Sequence, residues 1–218
     1  MHASEHTTTP PAQACVSHTI RDALSPRQED ASACFFHDAH FDYDTVNIQP
    51  GAYFVTAEDL MLVADLGMGI AVCLWEPTVR VGGMNHFLLP GGDHDDASPR
   101  YGHFAMHLLI QDMLQRGARR ERLQAKVFGG ANDSPSAAAP GVGTRNTACA
   151  LEELRSESIA VHSSDVLGPH HRKLRFFPAH GSAMVKHRIP QVSDPYRATP
   201  ASTPTPIPAP RYGVRQPF

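Results

Sequence analysis

The side chains of this chain best suited to chemistry are its 14 histidines and 4 cysteines, and their spacing decides what they could do. Asp93, His94, Asp95 and Asp96 crowd one stretch, and His103 and His107 stand four apart on what reads as a helix. A metal site needs three or four convergent ligands with supporting groups behind them, which neighbouring loop side chains do not provide by number. The Asp-rich stretch therefore reads as a solvated loop, His103 and His107 as residues at the edge of an apolar stripe, and no metal or cofactor is expected. Arg119, Arg120 and Arg122 suit a solvated helix end. Gly129 and Gly130 suit a tight turn, since no phosphate-binding glycine pattern surrounds them. Cys15, Cys34, Cys73 and Cys149 form no C-x-x-C pair and no disulfide framework, which fits a reduced compartment.

His86 stands apart. In MNHFLL, Met84 to Leu89, a strand period of two places Met84, His86 and Leu88 on one face and Asn85, Phe87 and Leu89 on the other. An imidazole on an apolar face must find a hydrogen-bond partner, and spacing alone leaves it either a satisfied structural histidine or a catalytic base.

The elements that would position His86 can be read on either side of it. Ile70 to Trp75 is a β-branched apolar run closed by Glu76-Pro77; Val79 to Val81 and Met84 to Leu89 follow as strands. Tyr101, Phe104, Ala105, Leu108, Leu109 and Met113 recur at helical spacing up to a stop at Gly117. Ala125 to Phe128 reads as a strand, Asn146 as the cap of a second helix through Leu151 and Leu154, and Ile159 to Val161 as a strand. LRFF, PAHG and SAMVKH read as a closing hairpin. Several strands in irregular order with two helices predict an α+β fold.

These elements fall within residues 44–188, long enough for one core. Residues 1–43 carry little hydrophobic periodicity and are expected to form a disordered arm; residues 189–218, with TPTPIPAP, are expected to form an extended Pro-rich tail. The balance of 19 basic and 22 acidic residues, net −3, gives no footprint for nucleic acid. The apolar run from Leu60 to Trp75 is interrupted by charge and glycine and falls short of the roughly 20 residues that span a bilayer. No targeting signal opens the sequence, so a cytoplasmic protein that is not membrane-inserted is expected.

LGMGIAVCLWEPTVRVGGMNHFLLPGG, Leu66 to Gly92, resembles the chemoreceptor glutamine deamidase (CheD) family of bacterial chemotaxis. So do RYG at Arg100, AKVFGGAN at Ala125, GTRN at Gly143 and RKLRFFPAHGSAMVK at Arg172, in the family's order across residues 44–188. The resemblance implies mixed β-sheets packed as a sandwich with flanking helices, similar to cysteine-hydrolase toxin domains. It implies hydrolysis of receptor glutamine side chains to glutamate with release of ammonia. The partners it implies are the cytoplasmic helices of chemoreceptors and, for many members, a CheC-type chemotaxis phosphatase.

In that chemistry a cysteine thiolate attacks the carboxamide, a histidine activates the thiol and protonates the leaving ammonia, and a threonine completes the triad; a covalent intermediate divides one hard step into two easier ones. The family histidine falls on His86. The family cysteine falls on Gly69, within Gly67-Met68-Gly69, and the threonine falls on Val63, which has no hydroxyl. Cys73 lies four strand residues from position 69, roughly 13 Å at about 3.3 Å per residue. It is a remote substitute nucleophile and is expected to be an inert core residue. Asp65 brings a carboxylate into a segment expected to be apolar. The expectation is thus a family member impaired in deamidation, with a non-catalytic protein that binds chemoreceptors or the phosphatase as the alternative.

Overall fold

Alternating apolar residues in short runs require two-sided sheets, and the computed structural model, which describes residues 33–91, 98–132 and 139–188, has two of them. The strands are β1 (Ala33–Asp38), β2 (Tyr43–Ile48), β3 (Ala52–Thr56), β4 (Met61–Leu66), β5 (Ile70–Glu76), β6 (Val81–Phe87), β7 (Gln124–Gly129), β8 (Ala160–Val166), β9 (His171–Phe177) and β10 (Ser182–Arg188). The helices are α1 (Gly102–Gln115) and α2 (Val142–Ser156). The first sheet runs β1-β2-β4-β9-β10 and the second β3-β6-β5-β7-β8. Both are mixed: β2 pairs in parallel with β4 and β7 with β8, while the remaining pairs are antiparallel. The α+β sandwich with flanking helices is the architecture expected.

Two apolar layers hold it together. Val46, Ile48, Phe54, Leu62, Leu66, Met84, Leu174 and Phe176 fill the space between the sheets. Val72, Leu74, Phe87 and Val127, on the opposite face of the second sheet, pack against Met106, Leu109 and Met113 of α1 and Ala150 and Leu154 of α2. The all-buried pattern of β6 follows, since that strand lies between the two layers.

The chain departs from the sequence-based expectation in three places. The fold begins earlier, because β1 falls within the segment expected to be an arm. It pairs along its whole length with β2, and Phe35 packs edge-on against Phe54 at 5.8 Å. Val81 and Met84 to Phe87 of the two expected runs fall in one strand, β6, while Val79 and Arg80 belong to the turn at 77–80, where the Val79 amide donates to the buried Glu76 carboxylate at 2.7 Å. Asn146 does not cap α2: the helix starts four residues earlier, after Gly141, and Asn146 is buried inside it. Residues 1–32 of the expected arm, the Asp93–Asp96 loop and the Pro-rich tail lie outside the described residues.

The closing hairpin is fixed by Gly181, whose φ is +66° and whose α-carbon lies against the face of Trp75. Any β-carbon there would collide with the indole and adopt a backbone conformation disfavoured for other residues. Gly181→Ala is expected to lower stability by about 1–3 kcal/mol, from strain plus overpacking, read as a lower urea midpoint at unchanged slope.

Candidate active site

The turn 67–69 carries the chain from β4 in the first sheet to β5 in the second. Each carbonyl of this turn is held by a donor from elsewhere in the fold. Ala131 N donates to Gly67 O at 2.9 Å, Asn146 Nδ2 to Met68 O at 2.9 Å, and Gly130 N to Gly69 O at 2.8 Å. Asn146 Nδ2 also donates to Leu88 O at 2.8 Å, so one buried amide ties the turn to the end of β6. GTRN and FGGAN thereby acquire a physical role as clamps on the turn.

β6 brings His86 to the same place. Ala71 and His86 are register partners, and His86 lies 2% exposed on the face toward the first sheet. Its Nδ1 sits 3.3 Å from Ile48 O. A carbonyl only accepts, so Nδ1 carries the proton of the neutral ring and Nε2 presents a lone pair. A β-carbon at residue 69 would lie 2.9 Å from that Nε2, 2.9 Å from Phe87 O and 3.1 Å from Leu88 Cδ2. Residue 69 therefore faces the free nitrogen of His86, where a nucleophile activated by this imidazole would stand, and the residue there is glycine.

Burial lowers the His86 pKa below its ordinary value; the Ile48 carbonyl and the Asp65 carboxylate oppose that shift. The ring is accordingly neutral near pH 7, the state a base requires.

Val63 does not join this pair. Leu62, Ala64 and Leu66 of β4 point into the layer between the sheets, so Val63 lies on the opposite face, beside Asn47 and Arg175 in register. The imidazole is oriented by the Ile48 carbonyl, a backbone group with no side-chain signature. Cys73 pairs in register with Met84, two residues along β6 from His86, and is 1% exposed. Burial raises its thiol pKa well above the ordinary value, with Lys126 acting in the other direction. Such a thiol is protonated and a poor nucleophile. Asp65 carries no burial cost, because it is exposed and pairs with Arg188 at 3.5 Å.

Arg172, of the RKLRFFP motif, was not singled out by spacing. It is 3% exposed and donates to Asp165 Oδ1, Leu167 O and His170 O, shaping the loop whose Gly168 O accepts from Asn132 N. The other candidates serve structure. His103 and His107 are exposed, and His103 Nδ1 pairs with Glu153 of α2 at 2.9 Å. Arg120 pairs with Glu157, and Arg122 donates to Thr78. Among the described residues no three His, Cys, Asp or Glu side chains gather as a metal site.

A buried imidazole thus faces residue 69 of a clamped strand-to-strand turn, and that residue is glycine. The model of the CheD chemotactic sensory transduction family matches residues 88–187. Over 160 residues the chain is 50% identical to the probable chemoreceptor glutamine deamidase CheD 1 of Albidiferax ferrireducens, covering 73% of this chain and 68% of that protein. It is 43% identical over 160 residues to the Xanthomonas campestris CheD, covering 73% and 80%, and 45% over 157 residues to CheD 1 of Shewanella oneidensis, covering 69% and 76%. A solved structure, the hypothetical protein YfiH of Bacillus licheniformis, matches with a TM-score of 0.39 at 10% identity over 53% of this chain and 51% of that one. This chain belongs to the CheD family.

Two outcomes are expected of the site. Because the unfolded state binds a proton at His86 more readily than the folded state, stability falls as pH drops below about 6.5, by at most about 1.4 kcal/mol per pH unit from this group. Urea titrations between pH 7.5 and 5 should show this slope in the wild type and a shallower one in His86→Gln. Asn146→Ala removes both clamps at once and should cost about 1–3 kcal/mol by leaving Met68 O and Leu88 O unpaired, measured by the same titrations.

Proposed function

We propose that this chain is a chemotaxis protein of the glutamine deamidase family that engages chemoreceptor glutamines but is impaired in hydrolysing them. The family reaction converts a protein glutamine and water into glutamate and ammonia. The thiolate adds to the carboxamide carbon, the imidazolium protonates the departing ammonia, and water cleaves the thioester with the same imidazole as base. His86 can serve both proton steps. The observation that carries the proposal is the 2.9 Å approach of a β-carbon at residue 69 to His86 Nε2, where only a hydrogen stands. In well-studied hydrolases, loss of the nucleophile leaves about 10³ to 10⁴ over the uncatalysed rate, too little for useful turnover of an amide.

The surface beside the turn supports the binding half of this reading. Met68 is 51% exposed and Leu89 38% exposed, and the Asn146 bridge holds their segments side by side. An exposed methionine next to a leucine gives an adaptable apolar contact for a helical partner. The cytoplasmic helices of a chemoreceptor are the partner proposed, with a CheC-type phosphatase as a second candidate for the same surface. Such work belongs in the cytoplasm. Among the described residues no helix is long and apolar enough to cross a membrane.

The test incubates the chain with a chemoreceptor cytoplasmic fragment, beside an active relative, and follows glutamine-to-glutamate conversion by intact mass and ammonia release. The unmodified chain is expected to bind the fragment without converting it. Gly69→Cys is expected to gain turnover by on the order of 10² or more, part of the roughly 10⁶ that a lost nucleophile costs, once the His86 ring and the Phe87 carbonyl, each 2.9 Å from the new β-carbon, shift to admit it. Adding Val63→Thr should change little, since residue 63 faces away from His86. Conversion by the unmodified chain would overturn the impairment, and its loss in Cys73→Ala would assign it to a relocated nucleophile. Absence of binding to any receptor fragment would overturn the partner.

A further inference from the structure

The layer between the sheets ends in a second concavity, separate from the turn at 67–69. A cleft of about 320 Å³ opens where β5, β7 and β8 of the second sheet face β9 and the β9–β10 turn of the first. That is the lower end of the range for small-molecule sites. Cys73 and Phe176, both buried, form its floor, and Trp75, Lys126, His162 and His180 stand around it.

Three features point to what it would hold. Its lining includes a lysine and two histidines and no carboxylate. No described carboxylate pairs with Lys126, and the thiol beneath it is held protonated by burial, so the ammonium has no anion of its own. Among the described residues His180 is the one member with an acidic neighbour, Asp59, at 3.5 Å. The indole Nε1 of Trp75 is buried and has no hydrogen-bond partner. An indole N–H only donates, so what Trp75 lacks beside this cleft is an acceptor. The fold also departs from regularity here. Pairing of β7 with β8 passes from Ala125↔Val161 to Lys126↔Ser163, leaving His162 as the extra residue of a β-bulge at the cleft rim. Bulges re-aim side chains beside binding sites.

We propose that this cleft binds a small organic carboxylate, its oxygens taken by Lys126 and His162 and its apolar body resting on Phe176 and the indole. The site needs neither His86 nor a thiol at residue 69, and stands or falls apart from the hydrolytic reading.

Trp75 is the only tryptophan of the chain, so emission excited at wavelengths beyond the tyrosine band reports on this cleft. The full chain is titrated with benzoate at constant ionic strength, with inorganic phosphate and chloride as separate arms. A saturable change of Trp75 emission with benzoate is expected, weakened about tenfold or more in Lys126→Met, the loss of one charge-assisted hydrogen bond, and retained in Lys126→Arg. Urea midpoints show whether the variants fold; should Lys126→Met fail to fold, His162→Ala at the exposed rim replaces it with the same expected weakening. No saturable change with benzoate, an affinity indifferent to these substitutions, or saturation by phosphate alone would overturn the proposal.

Discussion

Three carbonyls fix the turn that faces His86. The oxygens of Gly67, Met68 and Gly69 lie where the chain leaves one sheet for the other, and each is taken by a donor more than sixty residues away, Ala131 N, Asn146 Nδ2 and Gly130 N. A crossing between sheets would ordinarily leave buried backbone groups unpaired. Here their satisfaction sets the turn in one position, and that position faces the free nitrogen of His86. The strand β7, the loop after it and α2 are thus parts of the site although none of their side chains reaches the imidazole's reactive edge.

The same constraint explains why the scaffold persists without a thiol. None of the three clamps uses the side chain at residue 69, and His86 is held from its far side by the Ile48 carbonyl. Glycine adds local freedom, but the backbone around it is fixed by partners that a cysteine would share. Phe87 O and the imidazole also close over the space a β-carbon would occupy. The residue present is therefore accommodated at close range, with no cavity left behind.

The pairing of His86 with residue 69 was legible in the sequence because motif spacing preserves it, and strand period two correctly placed Met84 and His86 on one face. Asn146 was visible as a residue but misplaced as a cap, because a buried helical asparagine bonding to two distant carbonyls has no local pattern. The Ile48 carbonyl was invisible for a stronger reason: a backbone acceptor carries no residue signature. β1 was missed because its burial comes from pairing with β2 and from one Phe35–Phe54 contact, not from an apolar run. Asp65 misled in the opposite direction, since alternation on β4 sends it out to Arg188.

The order of the first sheet also governs how this chain can be assembled. β4 sits at its centre, and one of its edges is covered only by β9, with Leu62 opposite Phe176. During synthesis β4 emerges long before its partner, so the growing chain carries an open apolar strand edge until the last hairpin arrives. Pairings this distant in sequence close slowly. The nascent protein must therefore pass through a stage in which its central strand is available to other chains, and the eighteen residues from His171 to Arg188, which make β9, its turn and β10, act as the latch that ends it.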